Sequence, residues 1–376
     1  MTRVGVLCYG LERPLSGVTR VALELGRGLL TRPDLEVTFL TPYRRGPFVG
    51  QVDARTVYLP GCRLLPGLML FGGPLMTLIA KARGLDVLHD PIGMSPFTLP
   101  RAVAPYRRVV SIQDAIAFEY PQGYPWLNNL LHRTYVPATL PMADVVATGS
   151  EASRRSISRY YHVAPSGIRV IPYAVSPRFR PWPPGESAAV ARKHGIPGPY
   201  VLYVGAFKAH KNVVALIDAF SRVASKLPNH RFVFVGPRQW SFPEMDAAIA
   251  RASLGDRLTM VGYVPEDDLP ALYSAADACV LPSLHEGFGF PALEAMACGT
   301  PLICSTSSSL PEVAGDAAYM IDPHDTNAIA EAIVDVVKNQ DLAARLRRDG
   351  LARAATFTWK KVASDYASLY HELAGR

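Results

Sequence analysis

The sequence predicts an α/β protein of two doubly wound parallel-sheet domains, Rossmann-like, facing a cleft. Three observations carry this. The chain has 376 residues, more than a single hydrophobic core of roughly 250–300 residues accommodates. Short apolar runs alternate with longer stretches of helical spacing almost from end to end, the text of βαβα units. The stretch 176–185, Ser-Pro-Arg-Phe-Arg-Pro-Trp-Pro-Pro-Gly, is too rich in proline for helix or central strand and divides the alternation into two series.

In the first series, strands are expected at 3–8, 36–40, 86–88, 108–112, 145–148 and 168–171. Val18, Val21, Ala22, Leu25 and Leu29 recur at helical spacing over 17–30. The second series has strands at 200–204, 231–235, 258–261, 278–281 and 301–304. Helices fall at 213–224, 267–273, 291–297, 327–338 and 341–356. The expected domains are therefore 1–178 and 179–356, with a terminal helix in 357–376 returning to the first. Ligands of doubly wound sheets bind beyond the carboxyl ends of the strands, so the cleft is the expected site.

A hydrophobic content of 49% excludes general disorder. The net charge of +7 suits an anionic partner, whether nucleic acid, an acidic membrane face or a phosphorylated small molecule, and equally suits arginines spread over a solvated surface. Cys8, Cys62, Cys279, Cys298 and Cys304 contain no Cys-x-x-Cys pair. They read as buried thiols of a reducing compartment. The apolar run at the N-terminus is too short for a signal peptide and reads as a first core strand, so a cytoplasmic protein is expected.

One segment imitates a membrane span. Residues 64–80 are uncharged and bracketed by Arg63 and Lys81, but Pro66, Gly67, Gly72, Gly73 and Pro74 interrupt them. The run is shorter than the roughly 20 residues of a spanning helix. A buried or interfacial loop and short helix are expected. With Arg44-Arg45, Arg107-Arg108 and Arg154-Arg155 in the same half, peripheral contact with the inner membrane face is a further expectation.

The most informative text is Pro282-Ser-Leu-His-Glu-Gly-Phe-Gly-Phe-Pro-Ala-Leu-Glu-Ala-Met-Ala-Cys-Gly-Thr-Pro. A buried strand ends at Leu281, a loop carries Gly287 and Gly289, Pro291 suits the first turn of a helix and Gly299 its C′ position. Glycines between strand and helix let the backbone approach a ligand, and the N–H groups at the helix start favour an anion. Glu294 is expected in the first helical turn, where it would favour the turn itself or a ligand. Glu286 has no helix to stabilise and is placed to accept hydrogen bonds from hydroxyls.

Here the chain resembles the large retaining glycosyltransferase family 4, of GT-B fold, whose signature is Glu286-x7-Glu294 within Glu-Gly-Phe-Gly-Phe-Pro-Ala-Leu-Glu-Ala. The likeness covers nearly the whole chain and extends to Val261-Gly-Tyr-Val-Pro-Glu-Asp-Asp-Leu-Pro-Ala-Leu-Tyr-Ser-Ala-Ala-Asp, Ser309-Leu-Pro-Glu-Val-Ala-Gly-Asp-Ala-Ala and Ser150-Glu-Ala-Ser-Arg-Arg. It implies that Glu294 binds the nucleotide ribose and Glu286 the donor sugar. It also implies that Gly287, Phe288, Gly289 and Phe290 offer backbone N–H groups to sugar or phosphate, and that Val264 lies in the donor site.

In Val204-Gly-Ala-Phe-Lys-Ala-His-Lys-Asn, Gly205 ends a strand and Lys208 and Lys211 follow in a short loop. A lysine there can neutralise a diphosphate as a point charge, and Lys211 matches the lysine of the family. The family's arginine is replaced by Ala206 or His210, so His210 or Lys208 is expected to compensate. Gly17 in Leu15-Ser-Gly-Val-Thr-Arg permits close approach at a helix start, and the resemblance places it across the cleft from Lys211. In Val109-Val-Ser-Ile-Gln-Asp-Ala, Gln113 stands where family members often carry histidine. Gln113 cannot titrate but can donate to a sugar hydroxyl, and Asp114 can orient an acceptor. His89, at another strand end, reads as a structural histidine.

No Asp-x-Asp triplet occurs and no GxxxxGK[ST] loop, so neither a metal-held diphosphate of that type nor P-loop chemistry is expected. The partners implied are a nucleotide diphosphate sugar and a hydroxyl acceptor, a glycan or lipid-linked glycan among them, not nucleic acid. No cofactor or metal is implied. The activity implied is retaining, metal-independent hexosyl transfer, with a lean toward mannosyl or rhamnosyl. The alternatives are a sugar-nucleotide epimerase, an α-glucan phosphorylase, disfavoured by its need for a cofactor lysine and a longer chain, and a non-catalytic sugar-nucleotide-binding or scaffolding protein.

Overall fold

The computed structural model describes residues 1–9, 17–44, 55–123, 125–237 and 243–375. Contacts divide the chain into two units. One comprises Met1–Ala174 with Thr358–Arg376, the other Val175–Phe357.

The first unit holds a seven-stranded sheet. Its strands are β1 (Thr2–Leu7), β2 (Leu35–Thr41), β3 (Thr56–Tyr58), β4 (Val87–Asp90), β5 (Arg107–Ser111), β6 (Val145–Thr148) and β7 (Ile168–Val170). They lie in the order β3-β2-β1-β4-β5-β6-β7, all pairs parallel. Burial on both faces accounts for the apolar runs within β1 and β2, whereas β4 closes on the buried polar pair His89 and Asp90. The short β3 was not expected; its three residues, none of them buried, carry too little pattern.

The second unit repeats the plan with six strands: β8 (Tyr200–Val204), β9 (Arg231–Val235), β10 (Leu258–Gly262), β11 (Ala278–Leu281), β12 (Leu302–Ser305) and β13 (Tyr319–Ile321). Their order is β10-β9-β8-β11-β12-β13, again parallel. The sheet order reverses direction between β8 and β11, which makes their shared carboxyl edge a topological switch point. The proline-rich stretch packs on this unit. Arg178 pairs with Glu266 and Asp267, the Trp182 N–H donates to Ser274 Oγ, and a helix Pro184–Lys193 begins inside it.

The helix Trp359–Ala374 belongs to the first unit. His371 bridges Thr2 Oγ1 at 2.7 Å and Asp34 Oδ2 at 2.8 Å, and Arg169 forks onto the Glu372 carboxylate. Tyr366 and Tyr370 of this helix are fully buried against His89. His89 joins Tyr370 Oη at Nδ1 (2.7 Å) and Ser111 Oγ at Nε2 (2.8 Å).

Residues 65–83 depart from expectation. They form one helical run, Leu65–Arg83, not a loop and short helix. Pro66 sits in the first turn, where its missing N–H costs nothing. A π-turn over Leu68–Gly72 precedes Pro74 and removes the clash a proline ring makes with the carbonyl four residues earlier. Gly73 fits because a side chain there would meet the Pro96 carbonyl 2.9 Å away. The basic pairs also differ from expectation. Arg108 is 1% exposed, packed near the Phe97 and Tyr106 rings and donating to the carbonyls of Leu99 and Met142. Arg107 pairs with Asp144 and Arg154 with Glu151. Arg45 lies outside the described residues.

Burial pushes the His89 imidazole down to about 3, so it is neutral in the folded protein while its unfolded counterpart titrates near 6.5. The unfolded chain then binds the extra proton between these values. The stability this neutral form confers is complete above pH 6.5 and is lost as pH falls from 6.5 toward 3, by up to about 1.4 kcal/mol per pH unit. Neighbouring Asp90, raised by burial to about 6, acts in the opposite sense and is unchanged in a His89 variant. His89→Gln should therefore flatten the fall in denaturation midpoint between pH 7.5 and 5 relative to the parent protein. Parallel curves for the two proteins would refute the assignment.

Candidate active site

β8 ends at Val204, and from Gly205 the chain reaches the helix Val213–Val223 through a single 3₁₀ turn, Ala209–Lys211. Asn212 closes that turn with φ +57°, a left-handed conformation that asparagine tolerates better than most residues. Its amide donates to the carbonyls of Pro282 (3.1 Å) and Pro323 (2.6 Å). The loop after β8 is thereby tied to the loops after β11 and β13. A second stitch is backbone to backbone, since the Leu284 N–H donates to the His210 carbonyl at 2.8 Å.

These ties bring Lys211 onto Glu286. Lys211 Nζ lies 2.6 Å from both Glu286 carboxylate oxygens. Ser283 Oγ donates to Glu286 Oε1 at 2.8 Å. The Glu286 backbone carbonyl accepts from Ser308 Oγ (2.7 Å) and Ser309 Oγ (3.0 Å) in the loop after β12. Three strand-end loops thus meet on one residue at the switch point. The Lys211 side chain is 17% exposed and that of Glu286 8%. A charge pair this dry needs its remaining lone pairs satisfied, which Ser283 does.

The loop continues to Gly289, at φ +99°, where a Cβ would also come within 2.8 Å of the Leu310 side chain. Glycine is required there on both counts. The helix Phe290–Ala297 follows and ends at Gly299, where the Gly299 N–H meets the Met296 carbonyl and the Thr300 N–H the Ala295 carbonyl. Glu294 is the fifth helical residue rather than a member of the first turn. It is 4% exposed and accepts from Tyr273 Oη at 3.0 Å. The Tyr273 phenol is raised well above its ordinary value, first by burial and then by the Glu294 charge. It stays a hydrogen-bond donor. Phe288 is buried beside Phe290 and Phe357, and Val264 is 6% exposed. Gly287 is half-buried.

His210 is 2% exposed, and burial together with Lys211 and Lys208 drives its imidazole down to about 2. It is neutral and does not replace the missing arginine; of the two expected substitutes only the half-buried Lys208 carries charge.

The remaining expected residues lie in the first unit. Gln113 and Asp114 follow β5. The Gln113 carbonyl accepts from Ser153 Oγ at 2.8 Å, and its side chain borders the buried Tyr173 phenol. Asp114 Oδ1 receives the Ile116 N–H at 3.0 Å and so starts the short helix Ile116–Glu119. Gly17 opens the helix Gly17–Leu30 at an exposed position; Leu15 and Ser16 lie outside the described residues.

Sequence reasoning missed Ser283, Ser308, Tyr273 and Asn212. Ser283 stands three residues before Glu286 and could have been suspected from that spacing. Tyr273 is 21 residues from Glu294, and no local pattern links them.

Residues 15–179 match glycosyltransferase family 4, and residues 188–353 match glycosyl transferases group 1. The O-antigen chain mannosyltransferase B of Escherichia coli is 29% identical over 96% of this chain and 97% of its own length. Among solved structures, sucrose-phosphate synthase of Thermosynechococcus elongatus superposes with a TM-score of 0.76 at 24% identity, covering 99% of both chains. Anabaena HepE, in complex with UDP and glucose, gives 0.75 at 17% identity over 99% of this chain and all of its own. With both halves matched and the two parallel sheets in place, the chain belongs to the GT-B glycosyltransferases of the family 4 and group 1 type.

Proposed function

We propose that this chain is a retaining, metal-independent hexosyltransferase, with mannose the favoured sugar, acting from a nucleotide diphosphate sugar onto a hydroxyl of a glycan. The observation that carries the reading is the meeting of Lys211 and Glu286 at the carboxyl edge shared by β8 and β11. One cation and one carboxylate stand where a doubly wound sheet presents its ligand. Lys211, with Lys208 at the start of the same turn, neutralises the diphosphate. The N–H groups around Phe288, Gly289 and Phe290, at a helix start, add donors without a counter-ion to displace. Glu286 accepts from sugar hydroxyls, and buried Glu294 from the ribose. The mannosyltransferase relative supports the sugar and a glycan acceptor, and the UDP and glucose held by HepE support the donor class.

In the reaction, the bond from the anomeric carbon to the diphosphate oxygen breaks as the acceptor oxygen bonds to that carbon on the same face. The acceptor proton passes to the leaving phosphate oxygen. No protein nucleophile is needed. Catalysis is then mostly positioning and stabilisation of the charge developing on the leaving group, with Gln113 and Asp114 assigned to the acceptor and Gly17 to the diphosphate end.

Lys211→Ala should weaken binding of UDP or GDP at least about tenfold, the loss of a charge-assisted hydrogen bond, while leaving the parent nucleosides nearly unchanged. It also strands a buried carboxylate, at a stability cost of about 3–5 kcal/mol. A Lys211→Met, Glu286→Gln double variant, uncharged at both positions, keeps the comparison available in a folded protein. Unchanged diphosphate affinity in both variants would exclude Lys211 from the phosphate site.

The two glutamates should separate in titrations. Glu294→Ala should weaken nucleotide and sugar nucleotide alike, by roughly tenfold for a lost hydrogen-bonded carboxylate. Glu286→Gln should not weaken plain nucleotide binding and should lower turnover of sugar nucleotide. Equal losses for both ligands in Glu286→Gln would reject its sugar-side role.

Activity should survive EDTA. The reading rests on the missing Asp-x-Asp triplet and, among the described residues, on finding no group of three or more His, Cys, Asp or Glu able to hold an ion. Loss of turnover in the chelator with recovery on adding Mn²⁺ or Mg²⁺ would overturn it.

A further inference from the structure

The helix Leu65–Arg83 divides its residues between two environments. Leu68, Met76 and Ala80 are at most 1% exposed and belong to the core of the first unit. Leu70 and Leu78 lie eight residues apart on the opposite side, with Phe71 beside them, and are 69%, 66% and 62% exposed respectively. Leu64, just before the helix, is 70% exposed. Pro66 and Pro74 occupy the same outer face. A helix fixed to the core on one side cannot cross a bilayer, but its other side offers water a continuous apolar stripe.

The charges that flank this stripe along the chain are all basic. Arg55, Arg63, Lys81 and Arg83 are all exposed, and no acidic residue occurs from 54 to 85. At the helix's N-terminal end lies a recess of about 350 Å³ lined by Pro42, Tyr43, Arg44, Tyr58 and Arg63. The Arg44 guanidinium stacks over the Tyr58 ring at 4.6 Å, so the hollow is cationic and aromatic-walled. An apolar face with basic residues at both ends and an arginine-lined recess at one of them matches a lipid surface of negative charge: acyl chains against the leucines and Phe71, head-group phosphates against the arginines.

We infer that the outer face of Leu65–Arg83, with Arg44 and Arg63, docks the chain on an anionic bilayer surface without crossing it. The inference is independent of the transferase reading, because binding is measured without substrate. Co-sedimentation of the full chain with phosphatidylcholine vesicles carrying a graded fraction of phosphatidylglycerol tests it. Bound protein should rise with the anionic fraction and fall with salt, since exposed charge attraction is screened. Arg63→Gln should lower the partition coefficient about fivefold, the expected share of one basic group near such a surface. Leu70→Asp with Phe71→Asp should lower it roughly tenfold or more. All three side chains are exposed, so circular dichroism and the thermal midpoint should match the parent. Protein remaining in the supernatant with strongly anionic vesicles at low salt overturns the inference, as does binding unaltered by either variant. If light scattering instead finds a two-chain species that the Leu70→Asp, Phe71→Asp variant dissolves, the face joins two copies and the lipid assignment fails.

Discussion

Everything at the candidate site depends on the reversal of strand order between β8 and β11. In a parallel sheet every strand leaves by the same edge, and each exit loop is normally drawn sideways by the helix that follows. Where the order runs β9-β8 to one side and β11-β12 to the other, the two exit loops diverge and leave a gap. The chain spans that gap with polar ties: Asn212 to Pro282 and Pro323, and the Leu284 N–H to the His210 carbonyl. Lys211 and Glu286 are the residues those ties present. Their pairing follows from topology, and it places opposite charges where a ligand with both phosphate and hydroxyl groups would need them.

The fold was legible because burial on both sheet faces writes strands as unbroken apolar runs, as in Tyr200–Val204 and Ala278–Leu281. What escaped was what lacks such a pattern. β3 and β13 have three residues each and little burial. The Leu65–Arg83 helix was masked by Pro66 and Pro74, whose punctuation is ordinarily decisive but is here absorbed by a first turn and a π-turn. At the site, the residues with chemistry were visible in the motif text, whereas their supports were not. Tyr273 reaches Glu294, and Ser308 reaches the Glu286 carbonyl, only through tertiary contacts. Arg108 is the converse case. Read by charge it belongs on the surface, but its guanidinium satisfies buried carbonyls beneath two aromatic rings, a placement that guanidinium tolerates better than ammonium.

The pairing of Lys211 with Glu286 has a consequence for how the proposed donor would be held. Together the two side chains are neutral, and burial removes the His210 charge as well. From this loop a diphosphate therefore meets only the charge of the half-buried Lys208 until the pair separates. Separation costs the short Lys211–Glu286 contacts, and each partner recovers an equivalent from the same ligand: Lys211 from phosphate oxygens, Glu286 from sugar hydroxyls. Plain nucleotide satisfies only the lysine, and free sugar only the glutamate. Either fragment alone leaves one buried charge without its counterpart, which is expensive in so dry a position. Ser283 and the two serines on the Glu286 carbonyl keep that residue in place during the exchange. On this argument the ion pair makes the site selective for an intact sugar nucleotide, because no part of that ligand replaces both halves of the contact it must break.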